Sequence, residues 1–133
     1  MTVAAFLDEI ALWAADRSDV VGIALIGSHA RGASRPDSDI DLVLLSDSPP
    51  GLLNGDWVSV FGEVESSVME DYGELKSLRV FYRNGLEVEF GVEGRAWAQT
   101  PLDSGTRSAL AGGVRVLYDP EGIFRVAKDA AGA

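Results

Sequence analysis

The chain has 133 residues, 47% of them hydrophobic, with 21 acidic against 11 basic side chains, a formal charge of −10 and no cysteine. Its length fits one domain, 1–133, large enough to bury a core. The acidity argues against nucleic acid as a partner, and the missing cysteines exclude disulfides, thiolate metal sites and thiol nucleophiles. A nucleotide stays open, because the local charge at a site and its metal decide that. No basic-then-apolar leader opens the chain and no apolar run is long enough to span a bilayer, so a soluble cytoplasmic protein with no membrane partner is expected.

Val3, Phe6, Leu7, Ile10, Trp13 and Ala14 fall at helical spacing behind Thr2, a capping residue, and Arg17 to Asp19 closes that helix. Residues 20–26 are apolar or glycine at every position, which predicts a strand covered on both faces. It runs into Gly27-Ser28, and a short helix is expected from Ala30. Ile40 to Leu45 reads as a second buried strand, stopped by the segment holding Pro49-Pro50. A short helix is expected around Trp57. Residues 75–92 carry a hairpin signal, with Asn84-Gly85 as a two-residue turn. That turn pairs Tyr82 with Glu87 and Val80 with Glu89, placing Glu87, Glu89 and Tyr82 on one face and Phe81, Val88, Phe90 and the stem of Arg79 on the other. Residues 94–112 read as a loop or helical turn around Trp97, Pro101 and Gly105. Val114 to Tyr118 follows as a late strand, and Pro120 opens a last helix through Phe124 and Val126. The whole reads as an α/β domain: a mixed, twisted sheet with helices mainly on one face.

The chemistry concentrates in residues 27–41. Side chains alternate on a strand, so Asp39 and Asp41 share a face while Ile40 anchors the strand on the other. Two carboxylates held so close repel unless a cation lies between them. Magnesium takes oxygen ligands and shares its shell with substrate phosphates, and manganese suits the same donors. Upstream, Gly27 allows close approach to a phosphate, Ser28 adds a hydroxyl, and a helix start at Ala30 would add amide dipoles. Arg31, and less directly Arg35, could neutralise phosphate charge; the plain alternative for Arg31 is a surface pair with Asp37. A third acid would complete a two-metal site. Glu89 is expected in that role, mid-strand with no arginine directly opposite in the inferred pairing, and Glu87 stays open as the alternative. His29 is expected to be an exposed loop residue, and the tryptophans to pack in the core or a lid.

Either half of this pattern alone is common; the joint spacing is not. The run Gly27-Ser28, ten residues, then Asp39-Ile40-Asp41-Leu42 resembles the signature of the DNA polymerase beta-like nucleotidyltransferases. The likeness is to the minimal nucleotidyltransferase branch and the aminoglycoside-type adenylyltransferases. It covers residues 22–45 and extends to about residue 92 with the third acid. The resemblance implies a single-domain nucleotidyltransferase fold, with Gly27, Ser28 and Arg31 on the triphosphate and Asp39, Asp41 and Glu89 on Mg²⁺ or Mn²⁺; Asp is commoner than Glu in the third place. It implies transfer of a nucleoside monophosphate, AMP from ATP, to a hydroxyl with loss of pyrophosphate. The acceptor is open: a small molecule, a tyrosine on a HEPN-type partner protein, or none in a non-catalytic nucleotide-binding module. The large helical second domain of the antibiotic-modifying relatives does not follow these motifs, so an acceptor pocket falls to a homodimer or to residues 93–112.

Overall fold

The computed structural model describes residues 1–72 and 75–133. The chain runs α1 (Val3–Ala15), β1 (Gly22–Ile26), β2 (Ile40–Leu45), α2 (Pro49–Leu53), a 3₁₀ turn (Val58–Phe61), β3 (Val64–Tyr72), β4 (Leu75–Tyr82), β5 (Glu87–Glu93), a second 3₁₀ turn (Arg95–Ala98), α3 (Ser104–Ala111), β6 (Val114–Tyr118) and α4 (Ile123–Ala131). The strands form one mixed sheet in the order β3-β4-β5-β2-β1-β6. Every neighbouring pair is antiparallel except β2 with β5.

The Thr2 hydroxyl accepts the Ala5 amide at 3.0 Å and starts α1, which buries Phe6, Leu7, Ile10 and Ala14 on the sheet. Under it lie the inward residues of four strands: Ile23 and Leu25, Ile40, Leu42 and Leu44, Val88, Phe90 and Val92, and Leu78, Val80 and Tyr82. Trp57 stacks on Trp13 at 4.7 Å, and its ring edge meets Phe90 at 4.8 Å. The helix expected around Trp57 is thus divided: α2 ends before it, the 3₁₀ turn begins after it, and the indole, bonded to the Leu52 carbonyl at 2.8 Å, plugs the gap.

On the other face α3 and α4 cover only the β1, β2 and β6 end, through Ala24, Val43, Leu45, Leu110, Phe124 and Ala127. This gives β1 the two-sided cover its sequence predicts. β5 instead alternates half-buried and buried residues along its whole length. Its half-buried row, Glu87, Glu89, Gly91 and Glu93, therefore lies on the sheet face that α3 and α4 leave partly open.

One expectation fails in an instructive way. The β4–β5 turn has three residues, not two: Tyr82 donates to the Leu86 carbonyl at 2.9 Å, enclosing Arg83, Asn84 and Gly85. A two-residue turn of the expected type needs positive φ at both Asn84 and Gly85. Only Gly85 has it, at +94°, and the Asn84 side chain instead accepts the Leu86 amide at 3.0 Å. The register moves by one, so Arg79 opposes Glu89 and Phe81 opposes Glu87. Tyr82 accordingly leaves the acidic face for the core, where its hydroxyl donates to the Val58 carbonyl at 2.8 Å. β3 is an edge strand that the sequence does not announce.

Phe90 is fully buried between Phe6, Trp57 and Phe61 on the strand that carries Glu89. Phe90→Ala should cost about 3–5 kcal/mol, read as a drop in the urea midpoint.

Candidate functional site

Asp39 lies just before β2 and Asp41 within it, both pointing to the open face while Ile40, 1% exposed, is locked in the core. The parallel register sets Asp41 beside Glu89, and the antiparallel one sets Glu89 beside Arg79. Oxygens of Asp39, Asp41 and Glu89 all lie within 4.8 Å of one another. Between the two candidates for the third acid, the geometry brings Glu89 into this group; Glu87, one pleat away, bonds Arg79.

The expectation that no arginine opposes Glu89 is overturned. The Arg79 guanidinium bonds Glu89 at 2.6 Å, Asp39 at 3.1 Å and Glu70 of β3 at 2.6 Å, as well as Glu87. Hydrogen bonding to Glu70 first, then to Glu87 and Asp39, raises its pKa further above the arginine range. Ser77 adds a bond from its hydroxyl to the other Glu89 oxygen at 3.1 Å. Asp41 receives no bond from Arg79 among those of the described residues. Burial, then the charges of Asp39 and Glu89, push its carboxyl up to about 7.

The donor set fits a hard divalent cation. Opposite oxygens around magnesium stand about 4.1 Å apart and neighbouring ones about 2.9 Å, so the three carboxylates, whose oxygens lie within 4.8 Å of one another, would draw inward to share an ion. Gly27 makes room for them. At φ +76° it follows β1, and a Cβ there would sit 2.5 Å from Asp41 Oδ2. Any other residue would push that carboxylate aside.

The helix expected from Ala30 does not form. Residues 27–32 make consecutive turns instead: the Gly27 carbonyl accepts the Ala30 and Arg31 amides, and the Ser28 carbonyl accepts that of Ala33 at 2.9 Å. Among the described residues the Ser28 and His29 amides donate to no protein acceptor, so loop amides rather than a helix end are what this turn offers an anion. His29 is half-buried rather than exposed, its Nε2 3.2 Å from the Ser38 carbonyl, bracing the loop across its width. Arg31 is exposed, its backbone against Gly113, and pairs with neither Asp37 nor any other described acid. It lines neither the cavity beside the acids nor a smaller one that Arg35 and His29 line.

The larger cavity, about 780 Å³, opens from Asp41 and Glu89 along β2 and β5. Its far wall is Glu93, Gly94, Ala96 and Trp97, then Asp103, Gly105, Thr106 and Ala109. Residues 93–112 thus do wall a pocket beside the acids. Asp103 caps α3 by accepting the Thr106 amide at 2.9 Å, and the Thr106 hydroxyl donates to the Trp97 carbonyl at 2.8 Å, which ties α3 to the 3₁₀ turn. Among the described residues the lining holds four carboxylates and no lysine, arginine or histidine.

Residues 7–97, more than half of the chain, match the nucleotidyltransferase domain family. The chain therefore belongs to that family of enzymes, which move nucleoside monophosphates from nucleoside triphosphates. The fold agrees. It is similar to an aminoglycoside 6-adenyltransferase from Bacillus subtilis, at a TM-score of 0.55 and 11% identity over 70% of this chain and 35% of that one. It is also similar to Cid1 in complex with its short product ApU, at 0.51 and 18% identity over 67% and 29%. The chain spans about a third of the length of these two proteins. A toxin-antitoxin structure with AMP-PNP, at 0.47 and 11% identity over 95% and 82%, is a looser likeness on which nothing rests. No curated protein matches in sequence. Among the described residues no helix is long and apolar enough to cross a membrane.

Two outcomes follow from this geometry. Because Asp41 ionises in the native state only near neutral pH, its charge costs stability as pH rises from about 4 through 7. Asp41→Asn in EDTA should therefore melt higher than the native protein at pH 8, by clearly more than it does at pH 5, and lose that advantage below pH 4. Gly27→Ala, forced into a conformation costing about 1–2 kcal/mol and against Asp41, should lower the melting temperature and abolish any rise produced by added Mn²⁺.

Proposed function

We propose that this protein transfers a nucleoside monophosphate, AMP from ATP, to an acceptor hydroxyl in a reaction dependent on Mg²⁺ or Mn²⁺. The observation that carries the reading is the convergence of Asp39, Asp41 and Glu89 oxygens within 4.8 Å, beside the Gly27 turn. Asp39, Asp41 and Glu89 would hold the divalent ion, which when bound supplies positive charge to the triphosphate oxygens. Gly27 and Ser28 would offer close backbone approach and the amides of Ser28 and His29 to the β- and γ-phosphates. Arg31, exposed and unpaired among the described residues, would close over them from the same loop.

The acceptor hydroxyl would then enter from the 780 Å³ cavity that begins at Asp41 and Glu89. Its oxygen bonds to the α-phosphorus, the bond from that phosphorus to the bridging oxygen breaks, pyrophosphate leaves and the hydroxyl proton passes to solvent. Catalysis of this kind is positioning and charge stabilisation. Glu89, held through both oxygens by Arg79 and Ser77, is suited to orienting groups. A lining with four carboxylates and no base favours an acceptor that carries amino groups as well as the hydroxyl, with the Trp97 ring as an apolar wall.

ATP labelled at the α-phosphate tests the proposal against a panel of amino sugars and neutral polyols and against proteins that co-purify. Label should move to an amino-bearing compound, and Asp41→Asn should lower that transfer at least about 10²-fold while the far-UV circular dichroism stays native. Normal turnover by the variant removes the metal-ligand assignment. Label on a protein tyrosine transfers the reading to a HEPN-type or other protein acceptor, and label on nothing points to a nucleotide-binding module.

A further inference from the structure

Among the described residues Arg79 is the one base that bonds the acidic cluster, and it spends four of its five N–H groups there. Nε goes to Glu70, Nη1 to Asp39 and Glu87, and Nη2 to Glu89. The acids come from β3, the approach to β2, and β5, so the guanidinium in β4 is clasped from both sides of its strand. Two consequences follow for any cation that binds. Both oxygens of Glu89 already accept a bond, one from Arg79 and one from Ser77, and Asp39 Oδ2 accepts another from Arg79. Displacing the guanidinium would also break charge-assisted bonds to four carboxylates at once.

We infer that Arg79 is a resident cation standing in for the second ion of a two-ion site, so that the protein loads a single divalent ion with its nucleotide. A guanidinium suits the post because it stays charged at every working pH and its flat fork matches several carboxylates at once. Arg79 on this view is a positioning residue: it fixes Glu89 and Asp39 and supplies charge without touching the reacting atoms. The inference rests on the nucleotidyl-transfer reading, but the two fail differently.

The test is equilibrium dialysis of the full chain with Mn²⁺ and the non-reacting analogue α,β-methylene-ATP, counting ions and nucleotide per chain. The native protein should bind one Mn²⁺ with each nucleotide. Arg79→Gln, with its fold checked by circular dichroism, should bind two, and Arg79→Lys, which keeps the charge, should stay at one. Two ions on the native chain or on the lysine variant, or one on a folded glutamine variant, overturns the inference and leaves nucleotidyl transfer standing. If the glutamine variant does not fold, the native count decides alone. No Mn²⁺ and no nucleotide on the native chain overturns both.

Discussion

The sheet changes sense once, between β2 and β5, and the register of that parallel pair governs everything the open face can do. Ile40 opposes Val88, Asp41 opposes Glu89 and Leu42 opposes Phe90. The apolar members are all at most 2% exposed, so the core side fixes the register that the acidic side uses. A slip of β2 by one residue would turn Asp39 and Asp41 inward and bring Ile40 and Leu42 off the core, a penalty felt along the whole strand. The site is positioned by residues that take no part in its chemistry.

That placement concentrates like charge, and the surrounding structure shows how it is tolerated. Two ionised carboxylates 4.8 Å apart repel by on the order of 3 kcal/mol at an effective dielectric of 20, before solvent screening. Arg79 answers for Asp39, Glu70, Glu87 and Glu89, leaving Asp41 to hold its proton up to about neutral pH. The residue without a base is also the one the Gly27 turn touches. Net attraction for a cation therefore peaks where β1 ends and β2 begins, beside the loop amides, rather than over β4 where arginine already sits.

The sequence reveals α1, β1, β2, β6 and α4 because each buries a face at the period of its own structure, and it reveals the aspartate couple because one pleat separates them. It conceals what depends on a single backbone angle. Asn84-Gly85 favours a two-residue turn, yet Asn84 keeps a negative φ, and that one dihedral moves Arg79 to the acidic face and Tyr82 to the core. β3 is concealed for another reason. VESSVMEDY has no apolar alternation, since it is an edge strand whose Val68 and Met69 are exposed and whose Glu70 serves Arg79. Legible spacing delivered the carboxylates; their counter-ion lay in a strand register that spacing cannot fix.

The family match ends at Trp97, and the division is physical as well as statistical. Asp39, Asp41, Glu89 and the Gly27 turn fall inside the matched residues, while Asp103, Gly105, Thr106 and Ala109 of the cavity wall come after them. The wall is attached by bonds of its own, Thr106 to Trp97 and Arg95 to Asp47 and Glu121, so it can vary without disturbing the β2–β5 register. On the proposed reading, a fold built this way would separate the chemistry of the phosphate from the choice of acceptor. Only the second would then depend on which side chains α3 and its flanking turn present.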